Sequence, residues 1–366
     1  MSSQISHFPL NTHIRHRKYI SFYTFALRHT HAFMNLIIPM AGRGSRLRPH
    51  TLTIPKPLLP IAGKPMVQRL VEDIAASLPE KIEEIAFVVG DFGQEVENRL
   101  CDIARQLGAV GRIYRQNAPL GVGHAIYCAR ESMTGRCMIA FSDTLFRATF
   151  AFDPDEDGII WVKSVPDPVS FGVVKVSEDN VITDFVEKSP VFISDLAIVG
   201  IYYIRNGQQL RDELAYMLDN DIKDKGEFQL TTALEGLKQK GLRFRPANIE
   251  EWLDCGNKDN VLATNRRMLE LKHQEEELID ESAEVIDSVI IPPCSIGAGA
   301  VVRNSVIGPF VSVGSNSGLH RSVISSSIVQ SETVIHNANL INSLIGNNVD
   351  YSGEASEISL GDYSKM

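Results

Sequence analysis

The chain has 366 residues, 44% of them hydrophobic and 22% charged, with a formal net charge of −9. That describes an ordinary globular protein, long enough for two domains and a sizeable core. The acidic balance argues against nucleic acid as a partner, because phosphate-backbone binding is largely cationic, and no apolar run reaches the roughly 18 residues of a membrane span. Cys101, Cys128, Cys137, Cys255 and Cys294 are scattered, odd in number and without a C-x-x-C pair, a usage that suits a reducing cytoplasm and argues against a zinc site.

Residues 1–33 differ from everything after them. They hold Arg15, Arg17, Lys18 and Arg28, five of the ten histidines and no acid, so they carry +4 and leave −13 for the remainder. The apolar stretch 19–27 is short and no small-residue cleavage site follows it cleanly, which argues against a secretory signal; the composition is compatible with an organellar transit peptide. The favoured expectation is that Met34, directly before the first apolar run, is the true start, and that 1–33 is a mis-called extension or a disordered tail.

The run 35–38 reads as a buried strand. It breaks into Ala41-Gly42-Arg43-Gly44-Ser45-Arg46, a glycine-rich turn whose backbone N–H groups can approach a phosphate unblocked by Cβ atoms. Arg43, Arg46 and Lys56 add charge suited to a polyphosphate, and Pro49, Pro55, Pro57 and Pro60 stiffen the track that carries them. The spacing matches neither the P-loop nor G-x-G-x-x-G, since Leu47 stands at the third glycine's place. Pro65 then opens a helix whose apolar residues Val67, Leu70, Val71, Ile74, Ala75 and Leu78 share one face. A strand at 85–90, a helix at 94–107, a strand at 112–115, a helix at 121–132 and a strand at 137–141 follow. This alternation implies an α/β fold with a mostly parallel, Rossmann-like sheet, with ligands expected beyond the carboxyl ends of its strands. The middle is strand-rich (159–162, 172–176, 182–186, 197–204), followed by helices at 207–219 and 229–240, a strand near Phe244, and a charged helix at 259–278 that reads as a connector.

From Val285 onward Ser288-Val289-Ile290, Ser305-Val306-Ile307 and Ser322-Val323-Ile324 recur at 17 residues, with Ser343-Leu344-Ile345 21 later. Between them aliphatic residues and glycines recur at five or six, the signal of a parallel β-helix, for which a coil of about 18 residues is expected. The divisions expected are therefore an α/β domain at 34–256, a helical linker at 257–284, a β-helix at 285–352 and a tail at 353–366.

Gly42-Arg43-Gly44-Ser45-Arg46-Leu47-Arg48-Pro49 with Pro55-Lys56-Pro57-Leu58-Leu59-Pro60 resembles the paired signature of the sugar-1-phosphate nucleotidyltransferases. These enzymes join a nucleoside triphosphate to a sugar-1-phosphate and release pyrophosphate. Some members carry a left-handed β-helix tail, which the C-terminal repeat is similar to. A sugar-1-phosphate oxygen is already anionic near neutral pH, so the reaction needs positioning, cations and metal rather than a protein base.

The resemblance implies specific roles. Ala41, Gly42, Gly44 and Ser45 would hold the triphosphate, Arg46 the departing pyrophosphate, and Lys56 and Lys188 the phosphates. Asp143 after its apolar strand, and Asp254 in Trp252-Leu253-Asp254-Cys255-Gly256, would bind Mg²⁺, an ion that takes one or two carboxylates beside phosphates and waters. Gln116 would read the base edge, which its amide can do for uracil, thymine or guanine alike, with Gly121 packing on the nucleotide. On the sugar side stand Phe171 and Gly172 (tyrosine is usual at the first), Glu187, Lys188, Val199 and Glu227. His124 reads as a helix-face histidine. The expected reaction uses dTTP or UTP with glucose-1-phosphate. Mannose-1-phosphate guanylyltransferase is the alternative within the class, and a non-catalytic sugar-nucleotide-binding regulator the alternative outside it. An acetyltransferase activity in the tail is disfavoured, because four or five coils are few for an acetyl-donor site. Assembly through the tail into a homo-oligomer is a further implication of the resemblance.

Overall fold

The structure, a computed structural model, describes residues 33–42, 44–150 and 153–354; the segment 1–32, Arg43 and the tail beyond 354 lie outside the described residues. In chain order it begins with β1 (Met34–Pro39), the small hairpin β2 (Pro60–Ile61) and β3 (Lys64–Pro65), and α1 (Met66–Ser77). Next come β4 (Ile82–Val89), α2 (Gln94–Gln106), β5 (Val110–Arg115), α3 (Val122–Cys128) and β6 (Arg136–Ala140). The middle comprises β7 (Thr144–Arg147), β8 (Gly158–Ser164), β9 (Gly172–Val176), β10 (Ile182–Glu187) and β11 (Leu196–Ile204). α4 (Gly207–Asp219), α5 (Leu230–Gln239), β12 (Phe244–Asn248), β13 (Glu251–Asp254) and α6 (Lys258–Lys272) complete this half.

The main sheet has nine strands in the order β10-β9-β11-β6-β1-β4-β5, with β8 pairing β11 and β12. β6, β1, β4 and β5 run parallel, while β11 joins β6, β8 and β9 antiparallel. After β1 the chain moves to β4 and β5 on one side and returns to β6 on the other. The carboxyl end of β1 is therefore a switch point, where a doubly wound sheet opens a crevice. Alternation along the strands fills two cores. Leu36, Ile38, Phe87 and Val89 face α1 and α6, whereas Ile37, Ala86, Val88 and Ile139 face α3, α4 and α5.

Three elements differ from the sequence expectation. The helix expected over 121–132 is α3 followed by a separate 3-10 turn at Arg130–Ser132. α6 starts at the Asn257 cap, whose side chain accepts from Asn260 N–H, but stops at Lys272 rather than 278. Beyond it Glu276 turns back to ion-pair at 2.7 Å with Arg69, a guanidinium 1% exposed that holds this carboxylate below its usual range. Finally, the chain after Asp143 forms β7, which pairs antiparallel with β13 in a separate ribbon and brings Thr144 opposite Asp254. Strand periodicity in a four-residue run carries too little signal to show this.

From Glu284 the chain winds as a parallel β-helix with three faces, of five, four and four strands. Register partners fall 17 residues apart in the upper coils (Val285, Val302, Leu319) and 16 in the lower (Leu319, Ile335, Tyr351), rather than the 18 expected. The steps between faces explain this. From Ile290 to Ser295 and from Ile307 to Ser312 is five residues, but from Ile324 to Ile328 is four. The corner that holds Pro292–Pro293 and Pro309 in the first two coils is thus one residue shorter below. The sequence alignment of Ser343 with Ser322 is corrected accordingly: Ala338 N–H bonds Ser322 Oγ one coil up, and Ser343 stacks beneath Ser327. Corners turn through left-handed residues, among them Asn304, Asn316, Asn337, Asn342 and Asn348, the residue type that adopts this conformation most readily after glycine.

A column of outward side chains, the register partners Ser295, Ser312, Ile328 and Leu344, docks the β-helix on the catalytic half, and beside it Arg266 lies over the Phe310 ring and reaches Ser326 Oγ at 3.0 Å. Ile328 and Leu344 join the core that holds Leu58, Leu59 and Ile61. Ser312 Oγ and Ala62 N–H both donate to Asn265 Oδ1 at 2.8 Å, and Asn265 is 1% exposed.

Candidate active site

A cavity of about 510 Å³ opens at the carboxyl ends of β1 and β6. One wall is the glycine loop. Gly44 is left-handed (φ 60°), and a Cβ there would stand 2.8 Å from Lys56 Cβ, so the loop closes on Lys56 only because position 44 is bare. Thr51 Oγ1 donates to Gly44 O at 2.7 Å and fixes the turn. Lys56 is nearly buried, and its Nζ reaches Asp143 Oδ2 at 2.6 Å. Ala41, Gly42, Ser45 and Arg46 line the same wall.

The opposite wall comes from the antiparallel half. Glu187 ends β10 and Lys188 follows it; both line the cavity, with Lys188 Nζ 3.3 Å from Glu187 Oε1. Thr231, in the first turn of α5, donates to Glu187 Oε2 at 3.2 Å. Gln229 Nε2 donates to Glu227 Oε2 at 3.1 Å. Tyr202 forms part of the floor, and burial together with the neighbouring Glu187 pushes its phenol well above the ordinary range, so it stays protonated.

The third wall carries Gln116 and Gly121. Gly121 (φ 112°) lies against another strand of chain: a Cβ would meet Phe228 O at 2.7 Å. Phe228 N–H donates to Leu120 O and Gly123 N–H to Phe228 O, so this wall is stitched to the segment bearing Glu227. Gln116 Nε2 donates to Gly121 O at 3.0 Å and lies 3.1 Å from His124 Nδ1. Burial lowers the His124 pKa, and the ring is a neutral support for Gln116 on the face of α3.

Twelve of the sixteen residues singled out from the sequence line this cavity: Ala41, Gly42, Gly44, Ser45, Arg46, Lys56, Gln116, Gly121, Asp143, Glu187, Lys188 and Glu227. Phe171, Gly172, Val199 and Asp254 stand behind it. Phe171 packs on Trp252 with ring centroids 4.8 Å apart and accepts Lys188 N–H at 3.1 Å. A Cβ on Gly172 would lie 2.9 Å from Glu187 Oε2, so the bare position is what admits that carboxylate. Val199 is buried in the core, and its carbonyl accepts from Thr144 Oγ1 at 2.9 Å. Thr231, Gln229 and Tyr202 are lining residues the sequence did not single out; Gln229 and Thr231 sit in the same short motif as Glu227.

Among the described residues no cluster of three or more His, Cys, Asp or Glu is arranged to hold a metal. Two acidic residues do meet through their backbones. Asp254 pairs across from Thr144, and Cys255 N–H donates to Asp143 O at 3.1 Å, so Asp143 and Asp254 share one corner. Asp254 Oδ2 is oriented by Asn260 Nδ2 at 2.6 Å and Gly256 N–H at 3.1 Å, and Gly256 lines the cavity beside Arg46. Two carboxylate residues at one corner are of the donor type that Mg²⁺ takes beside phosphates and waters. Cys255 between them is fully buried, its thiol pushed up to about 12 by burial, and is not available as a nucleophile.

This arrangement, a glycine loop at the switch point facing a second wall of acid and lysine, is that of a nucleotidyltransferase. The family model described as nucleotidyl transferase matches residues 36–270, and the chain belongs to that family. Over nearly its full length it is similar to two glucose-1-phosphate thymidylyltransferases. That of Streptomyces antibioticus is 32% identical over 362 residues, and that of Streptomyces griseus 30% over 359; each match covers 91% of this chain and 99% of the relative. Among solved structures, the nucleoside-diphosphate-sugar pyrophosphorylase of Vibrio cholerae superposes with a TM-score of 0.55 at 23% identity, covering 63% of this chain and 99% of that one, a likeness of fold. These similarities place the chain with the sugar-1-phosphate nucleotidyltransferases, as the two motif blocks implied. No described helix is long and apolar enough to cross a membrane.

Proposed function

We propose that the protein catalyses Mg²⁺-dependent transfer of a nucleotidyl group from dTTP or UTP to glucose-1-phosphate. A phosphate oxygen of the sugar-1-phosphate attacks the α-phosphorus, the bond to the bridging oxygen breaks, and pyrophosphate leaves with that electron pair. The observation that carries the reading is the opposition, across one cavity, of Arg46, Lys56 and Asp143 on one wall to Glu187 and Lys188 on the other. Two anionic substrates can be held there with cations between them, which is where such a transfer gains most.

In this reading the backbone of 41–45 cradles the triphosphate and Arg46 takes charge developing on the leaving pyrophosphate. Lys56 moves from Asp143 to phosphate oxygens, and Lys188 holds the sugar phosphate. Asp143 and Asp254 would hold Mg²⁺, which would supply charge to neutralise the phosphates. Gln116, kept in place by His124 and the Gly121 carbonyl, reads the base, while Glu187 and Glu227, supported by Gly172, Thr231 and Gln229, take sugar hydroxyls. Phe171 backs this wall, and Val199 fixes the strand beneath it. Pyrophosphate release across a panel of triphosphates and sugar-1-phosphates tests the proposal. The expected result is turnover only with Mg²⁺, and fastest for dTTP or UTP with glucose-1-phosphate; nucleotide binding without release in every combination would overturn it.

A further inference from the structure

Lys225 breaks a local rule. It occupies the first central position of a two-residue turn in which Asp224 and Glu227 exchange both backbone hydrogen bonds, at 3.0 and 3.1 Å. Lys225 and Gly226 are both left-handed, with φ of 52° and 83°. Asparagine or glycine fills the first position of such a turn at least strain. A lysine there is disfavoured by its own backbone, and departures of this kind concentrate at functional sites.

Its side chain crosses to β10, where Nζ donates to Glu187 O at 2.9 Å and Lys188 O at 2.5 Å. Lys188 is itself left-handed, with φ of 42°. Its N–H is held by Phe171 O at 3.1 Å, so the Lys225 ammonium holds the peptide from the other side. Two unfavourable backbone conformations, 37 residues apart, are thereby locked together by one ammonium. The same turn also fixes Glu227, two residues on, and the stitch from Phe228 to the base-side wall.

We infer that Lys225 is a positioning residue for the sugar-1-phosphate half of the site, acting through the carbonyls of Glu187 and Lys188 to aim the Glu187 carboxylate and Lys188 ammonium into the cavity. The inference rests on the sugar-side roles proposed above for those two residues. It differs from a direct phosphate contact in that Lys225 works only through Lys188 and Glu187.

Lys225→Asn keeps a residue suited to the turn and removes the ammonium. The expected result is a rise of about tenfold in KM for the sugar-1-phosphate, the size of losing charge-assisted hydrogen bonds. KM for the triphosphate should stay within about twofold, as a distant site does, and the unfolding temperature should hold. Lys225→Arg, which can still donate to both carbonyls, should recover most of the loss. In the Lys188→Met background Lys225→Asn should cost no more than about a further twofold, because coupled residues are non-additive. Hydrogen exchange at the Lys188 amide should quicken in Lys225→Asn whether or not the enzyme turns over. Unchanged KM and exchange, an equal loss for both substrates, or full additivity with Lys188→Met would each overturn the inference. If the wild-type chain releases no pyrophosphate with any substrate pair, the proposed function fails, while exchange at Lys188 still decides the clamp.

Discussion

The sheet and the β-helix both bury aliphatic side chains, but they dispose of buried polar groups in opposite ways. Around the cavity each polar contact is made once, between residues far apart in sequence: Lys56 with Asp143 across 87 residues, Thr231 with Glu187 across 44. In the β-helix one contact is made over and over. Ser288, Ser305 and Ser322 each donate to the carbonyl two residues back, and each Oγ accepts the N–H of the next coil, at 3.0, 3.0 and 3.1 Å. Ser317 and Thr333 repeat the pattern at another corner. The catalytic half therefore has no spare parts, while the β-helix has several copies of each. Loss of one group should be decisive for function in the first and mild for stability in the second.

The sharpest way to break that contrast is Asp143→Asn. It leaves a side chain of the same shape but removes the charge that pairs Lys56 and holds metal. Turnover should fall on the order of 10²–10³-fold, as for loss of a key electrostatic group, with nucleotide affinity changed far less in a binding assay. Equal losses of turnover and affinity would count against the metal role. Next comes the seam between the halves. Asn265→Ala strands the Ala62 N–H and the Ser312 hydroxyl, both buried, and should lower stability by about 2–3 kcal/mol in denaturant melts. Because Ala62 follows the Lys56 segment, activity near the melting range should fall in parallel.

A single rung of the ladder, Ser322→Ala, leaves only Ala338 N–H without its acceptor and should cost about 1 kcal/mol with turnover at 25 °C unaltered. The smallest effect is in pH. Burial lowers the pKa of His50, His124 and His320 in the folded chain below 6.5. The unfolded chain then binds more protons as pH falls through 6.5, so stability is full above that value and declines below it. His124→Gln should flatten part of that decline in melts recorded from pH 7.5 to 5.5, and a steeper slope would contradict the assignment.

Much of the molecule was legible in the sequence for reasons that separate by range. β1, α1 and the glycine loop are local patterns, and the loop, Lys56 and Asp143 are all found where their motifs put them. Glu187 and Lys188 on the far wall were carried by a two-residue resemblance that periodicity alone would have left on a solvated face. What could not be read depends on partners distant in sequence. The shortening of α6 follows from Arg69, about two hundred residues upstream. The convergence of Asp254 on Asp143 follows from the pairing of β7 with β13, and the supports of Gln116 and Glu187 from His124 and Thr231. The β-helix coil is 17 residues rather than 18 even where the prolines stand, and drops to 16 where they end, because a hexapeptide rule counts corners as equal and cannot see one that shortens.

The docked column of Ser295, Ser312, Ile328 and Leu344 also sets a polarity of growth. Each of the four coils meets its own counterpart on the catalytic half, so a coil spliced in between Ser295 and Leu344 would slide every later contact out of step. Below the last docked residue, Asp350–Ser352 pairs with Val334–His336 and faces solvent. Duplication of a repeat is therefore tolerated at that end and resisted everywhere above it.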